Sequence, residues 1–88
     1  MCRNIRTLFN FEPPASEEEI HASALQFVRK LSGFTRPSQA NEAAFNQAVE
    51  EVTAAARRLI SSLETNRPAR DRETEALKAK ARARQRFA

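Results

Sequence analysis

Residues 16–34 read SEEEIHASALQFVRKLSGF, and this stretch holds the start, the apolar stripe and the stop of one helix. Ser16 followed three residues later by Glu19 is a capping box: the hydroxyl accepts from the Glu19 amide while the carboxylate reaches back to the Ser16 amide. Glu17, Glu18 and Glu19 also place negative charge at the positive end of the helix dipole. Ile20, Ala24, Phe27, Val28 and Leu31 recur at helical spacing, with Glu18, Gln26, Arg29 and Lys30 outside the stripe. Gly33 suits the left-handed residue that ends a helix, and Phe34 is placed to fold back on Val28, as in a Schellman cap. Pro13 and Pro14 keep any earlier helix from running in. The expectation is a helix over 17–32.

Downstream, Phe45, Ala48, Val49, Val52, Ala56, Leu59, Ile60 and Leu63 fall within about 60° of one direction at about 100° per residue. Gln47, Glu50, Glu51, Arg57, Arg58 and Ser61 take the other side. Ser38 and Asn41 are both candidate caps for this second helix. The short connection makes the two helices antiparallel neighbours. Upstream, residues 3–11 fit two patterns. Ile5, Leu8 and Phe9 suit a helical turn or two; Ile5, Thr7, Phe9 and Phe11 suit an alternating strand. A strand needs a partner, and no second strand pattern is evident, so a short helix laying Leu8, Phe9 and Phe11 across the hairpin is the preferred reading. It would close the side that two helices alone leave wet around Phe27 and Val52. The expected class is all-α: a short N-terminal helix packed on an antiparallel two-helix hairpin, residues 1–63, followed by a basic tail, residues 64–88.

Composition agrees. One Gly, no Trp and no Tyr in 88 residues disfavour sheet, and 41% hydrophobic residues suffice for one small core. A domain of this size buries only about 60–65% of its unfolded surface. No apolar run approaches the roughly 18 residues of a membrane span, and no signal-peptide core opens the chain. A single cysteine excludes an internal disulfide and a cysteine-cluster zinc site. These features point to a cytoplasmic protein.

Charge is uneven along the chain. Arg3, Arg6, Arg29, Lys30, Arg36, Arg57 and Arg58 balance Glu12, Glu17, Glu18, Glu19, Glu42, Glu50 and Glu51 within 1–63. The whole formal charge of +4 therefore lies in residues 64–88. From Ala76 onward Lys78, Lys80, Arg82, Arg84 and Arg86 meet no acid. Asn66-Arg67-Pro68 breaks the second helix, and residues 71–87, with only Leu77 and Phe87 as large apolar groups, read as partly helical or disordered.

Two resemblances bear on these residues. MCRNIRTLFNFEPPA at 1–15, with QFVRKLSGF at 26–34, resembles a family of small bacterial proteins catalogued as domain of unknown function 2277, along most of residues 1–63. That likeness implies no activity, substrate or cofactor. The body over residues 6–63 is also similar to a J-domain, the helical module that stimulates chaperone ATPases. Leu8-Phe9 would sit in its first helix, Ala15–Ile20 would open its second, and Asn41–Phe45 its third. The family's His-Pro-Asp tripeptide falls on Ser32-Gly33-Phe34, where none of its residues is kept. The resemblance therefore implies the architecture without the ATPase stimulation.

Few residues invite chemistry. His21, one turn from Glu17 and Glu18, lacks a nucleophile and reads as a surface ion-pair partner. Consecutive glutamates at 17–19 diverge by about 100° and cannot converge on one metal ion. One glycine cannot build a phosphate loop. Cys2, beside Arg3 and Arg6, is a candidate reactive thiol, since nearby cations favour thiolate. In the loop Ser32–Ser38, Phe34 and Arg36 are candidate partner-binding residues: an aromatic beside a cation, unless Phe34 is used as the cap contact. Lys78, Lys80, Arg82, Arg84 and Arg86 are candidate contacts to nucleic-acid phosphates. With no acid–base pair, triad or metal set, the reading is a non-enzymatic protein-interaction module without a cofactor. The alternative is an accessory nucleic-acid binder acting through its basic tail.

Overall fold

The computed structural model of the chain describes the backbone of residues 5–87 and the side chains of residues 5–85. Cys2 and Arg3 lie outside the described residues. Helix α1 spans Glu17–Ser32 and begins with the expected capping box: the Glu19 amide donates to Ser16 Oγ at 3.2 Å, and the Ser16 amide to Glu19 Oε1 at 3.0 Å. At its other end Gly33 has φ 77° and its N–H donates to the Arg29 carbonyl at 2.9 Å. That single bond is the simpler left-handed cap, not the Schellman form. The Phe34 amide turns instead to Ser32 Oγ at 3.2 Å, and its ring stays exposed.

Helix α2, Glu42–Ser62, is entered through a 3₁₀ turn at Gln39–Asn41. Neither Ser38 nor Asn41 caps it by side chain; Asn41 Nδ2 donates to Ser38 Oγ at 2.9 Å, so the two satisfy each other. The helices are antiparallel: Val28 meets Phe45 and Val49 near the turn, while Arg57 pairs with Glu17 at the far end. Ile20, Ala24, Val28, Phe45 and Val49 are buried, with Leu25, Ala48 and Val52 packed around the last three. Thr53 is buried too, its hydroxyl donating to the Val49 carbonyl at 2.6 Å. That bond to its own helix removes the cost of a polar atom in the core.

The all-α class holds, with three α-helices among the described residues, but the third lies elsewhere than expected. Residues 5–10 are not helical. Phe11–Glu12 forms a two-residue strand, β1, hydrogen-bonded in parallel to β2, Arg70–Asp71. Of the alternating strand pattern Ile5, Thr7, Phe9 and Phe11, only Phe11 is paired, and its partner is a polar stretch too short to show alternation. Asn10 anchors the joint in the left-handed region (φ 64°). Its carbonyl accepts from the Arg70 amide at 2.8 Å, and its Nδ2 lies 3.2 Å from the Pro68 carbonyl. Leu8, Phe9 and Phe11 border a cleft with Ile20 and Ile60 and do not line the groove at Phe27 and Val52, the side they were expected to close.

Within residues 64–88, read as partly helical or disordered, the structure places helix α3, Arg72–Phe87. Arg72 joins it to the body, donating from Nε to the Pro13 carbonyl at 2.7 Å and from Nη1 to Glu19 Oε2 at 2.8 Å. Contacts of residues 10–19 with 67–72 thus cross the division drawn at residue 63.

Candidate functional site

At the turn end of the hairpin, large residues of α1 share an open groove with Ala44, Phe45, Ala48 and Val52 of α2. Phe27 and Leu31, expected to be core, are 43% and 73% exposed. Ala44 and Ala48 in the same groove have too little side chain to cover them. The result is an apolar groove of about 370 Å³ bordered by Phe27, Leu31 and Phe34, with Ala44, Ala48 and Val52 on the α2 side. The turn carrying Phe34 is held by Arg29, whose Nε donates to the Thr35 carbonyl at 3.1 Å. Phe34 thus belongs to the groove. Arg36 is exposed on the same loop and does not line it.

No acidic residue occurs between Ile20 and Asn41, whereas Arg29, Lys30 and Arg36 all fall there. The turn end of the groove therefore carries three cations against one acid, Glu42 at the start of α2. At the other end of the hairpin Glu17 and Glu19 are engaged, by Arg57 and Arg72. Glu19 is held well below the usual carboxylate range, to about 2, first by its bond from Arg72 and then by the Ser16 amide. The hydrogen bond from Arg57 likewise lowers Glu17.

The basic candidates divide on α3. Lys78 and Arg82 lie one turn apart on one side, and Lys80 and Arg84 on another. Lys78 approaches Glu75 at 3.8 Å, and Arg82 lines a cleft shared with the N-terminal segment. Arg86 belongs to α3, but its side chain, like Cys2, is outside the described residues. Among the described residues no cluster of three or more His, Cys, Asp or Glu is placed to hold a metal ion, and no helix is long and apolar enough to cross a membrane.

Sequence reasoning missed Phe27 and Leu31 as surface residues because the helical stripe was counted on each helix separately. The signal was present in the composition of the two helices near the turn: Phe27 and Leu31 share a groove with Ala44 and Ala48, which cover little of them.

Fold and groove define a small helical-hairpin protein with an open apolar face. The chain belongs to a family of uncharacterized conserved proteins, domain of unknown function 2277, whose model matches residues 1–78. The match continues past Leu63 through β2 into α3. No curated protein matches the chain, and no solved structure does. The likeness to a J-domain therefore gains no support from a known structure, and Leu8-Phe9, its would-be first helix, is not helical.

Proposed function

We propose that the chain is a protein-binding module whose groove receives the apolar face of an acidic amphipathic helix from another protein. The observation that carries this reading is the exposure of Phe27, Leu31 and Phe34 around one apolar groove. Exposed large side chains that converge mark interaction surfaces far more than scattered ones do. A helix laid in a groove places residues at i, i+3 or i+4, and i+7 into such a furrow. The acid-free stretch 20–41, with Arg29, Lys30 and Arg36, favours acidic flanks on that helix.

The test is fluorescence anisotropy with two synthetic helical peptides sharing one leucine face, one flanked by Glu and one by Lys. The Glu-flanked peptide should saturate, and both Leu31→Glu and Phe34→Ala should weaken it by about tenfold or more while leaving the circular dichroism spectrum unchanged. Equal binding by wild type and both variants would overturn the reading. A concentration-dependent dimer in sedimentation, lost in Leu31→Glu, would assign the groove to a second copy instead.

A second reading, nucleic-acid binding through α3, is supported by Lys80 and Arg84 standing one turn apart on an exposed helix without a carboxylate partner among the described residues. Duplex binding that falls steeply with salt, and whose salt slope shrinks by about two in Lys80→Gln/Arg84→Gln, would support it.

A further inference from the structure

A second cleft, of about 540 Å³, lies between the N-terminal segment and α3, away from the apolar groove. Arg6 and Phe11 stand on one wall, Arg72, Glu75 and Arg82 on the other, with Glu19 of α1 between them. Its volume falls in the range of small-molecule sites, about 300–1,000 Å³.

The charges in this cleft do not cancel. Arg72 is committed to Glu19 at 2.8 Å and to the Pro13 carbonyl at 2.7 Å. Glu75 has Lys78 at 3.8 Å. Arg6 and Arg82 are left, contributed by opposite ends of the chain, and neither makes an ion pair or a side-chain hydrogen bond among the described residues. The lining itself nets one positive charge, three arginines against two glutamates, and Lys78 beside Glu75 adds a second from just outside it. A guanidinium pair of this kind suits a phosphomonoester, which carries about −1.5 to −2 charge at neutral pH and offers several acceptor oxygens. A single carboxylate would leave one arginine unmatched. Beside the arginines, Leu8, Phe11 and Ala76 supply apolar surface that bare phosphate would not use.

The geometry points to this cleft as a binding site for a small organic phosphomonoester, held between Arg6 and Arg82. The site exists only while α3 is docked, so the ligand bridges N-terminal segment and helix and stabilises their joint. This inference stands apart from the groove and does not depend on it.

Titration calorimetry on the full chain tests it with four probes: adenosine monophosphate, inorganic phosphate, adenosine, and a short single-stranded RNA. Adenosine monophosphate should bind one to one, phosphate more weakly, and adenosine not at all. Arg6→Gln and Arg82→Gln should each weaken the monophosphate by about tenfold. Lys80→Gln/Arg84→Gln should change it less than about twofold, because neither residue lines the cleft. All these side chains are exposed, so helix content should be unaltered in every variant. No saturable binding of adenosine monophosphate overturns the proposal. So does an equal loss in the Lys80/Arg84 variant, which would mean diffuse attraction, and so does tighter binding of the RNA with the same Lys80/Arg84 dependence.

Discussion

Glu19 accepts from two donors at once, one oxygen closing the capping box of α1 and the other receiving Arg72 from α3. A local sequence signal and a long-range joint share one carboxylate. Its folded pKa of about 2 lies below the unfolded value, so the unfolded chain binds more protons in acid. The stabilisation is complete above about pH 5 and is lost as pH falls toward 2. Thermal melts across that window should show a shallower fall for Glu19→Gln, which keeps the box and forgoes the charge. Some slope should persist, because Glu17 and Asp71 are also lowered, by Arg57 and by Thr74 respectively. Superimposable profiles would show that Glu19 is not the acid-sensitive group. Asn10 makes a second residue-scale case. Left-handed backbone costs most residues about 1–2 kcal/mol, and Asn is among the few that tolerate it. Asn10→Ala should lower amide-exchange protection at Arg70 by roughly 5–30-fold. Asn10→Gly should recover the backbone share but not the side-chain bond to Pro68. Unchanged exchange in Asn10→Ala would mean that Arg70 is not held by this turn.

At the scale of elements, the same stripe on α1 divides into residues that hold the hairpin and residues left open. Val28 and Val49 are buried against each other's helix, and each truncation to Ala should cost about 1.5–2.5 kcal/mol in urea unfolding. Leu31→Ala should cost less than about 0.5 kcal/mol, since most of its side chain already meets water. A Leu31 cost equal to that of Val28 would place Leu31 in the core and remove the groove. This division explains how much could be read from the chain. The α1 boundaries and the Ser16–Glu19 cap were legible because both are local: spacing and chemistry within one turn determine them. The α2 stripe was legible as a direction, though Leu59 and Leu63 at its end stay exposed and Thr53 enters the core unannounced. Thr53 shows why. Its polarity argues for the surface, but a carbonyl four residues earlier satisfies it inside. The β1–β2 joint was not legible at all, since two residues cannot display a period and their hydrogen bonds are made by backbone that any sequence carries. The groove needed both helices in register, and Phe34 entered it only once Gly33 had taken the simpler cap.

The whole molecule is a flat body, 45 × 37 × 18 Å, with a radius of gyration of 15.8 Å where a compact chain of this length would have about 12 Å. Breadth without thickness follows from the way α3 is attached. It is held by a two-residue ladder, by Asn10 and by Arg72, while its own exposed face carries Leu77 and the basic residues. Phe11 adds to the joint, with the guanidiniums of Arg70 and Arg72 each 5.7 Å from its ring centre. Such a seam has few buried apolar atoms, so it should open well below the free energy that unfolds the hairpin. Replacing Arg72 by Gln removes the charge that Glu19 receives and shortens the reach to the Pro13 carbonyl. In Arg72→Gln, hydrogen exchange should quicken throughout residues 72–87 and leave the amides of Ala24, Val28 and Val49 as slow as before. A loss of protection shared equally by α1, α2 and α3 would instead make the chain one cooperative unit. In that event the cleft between Arg6 and Arg82 would be a fixed feature of the fold, with no separate opening step for a ligand to oppose.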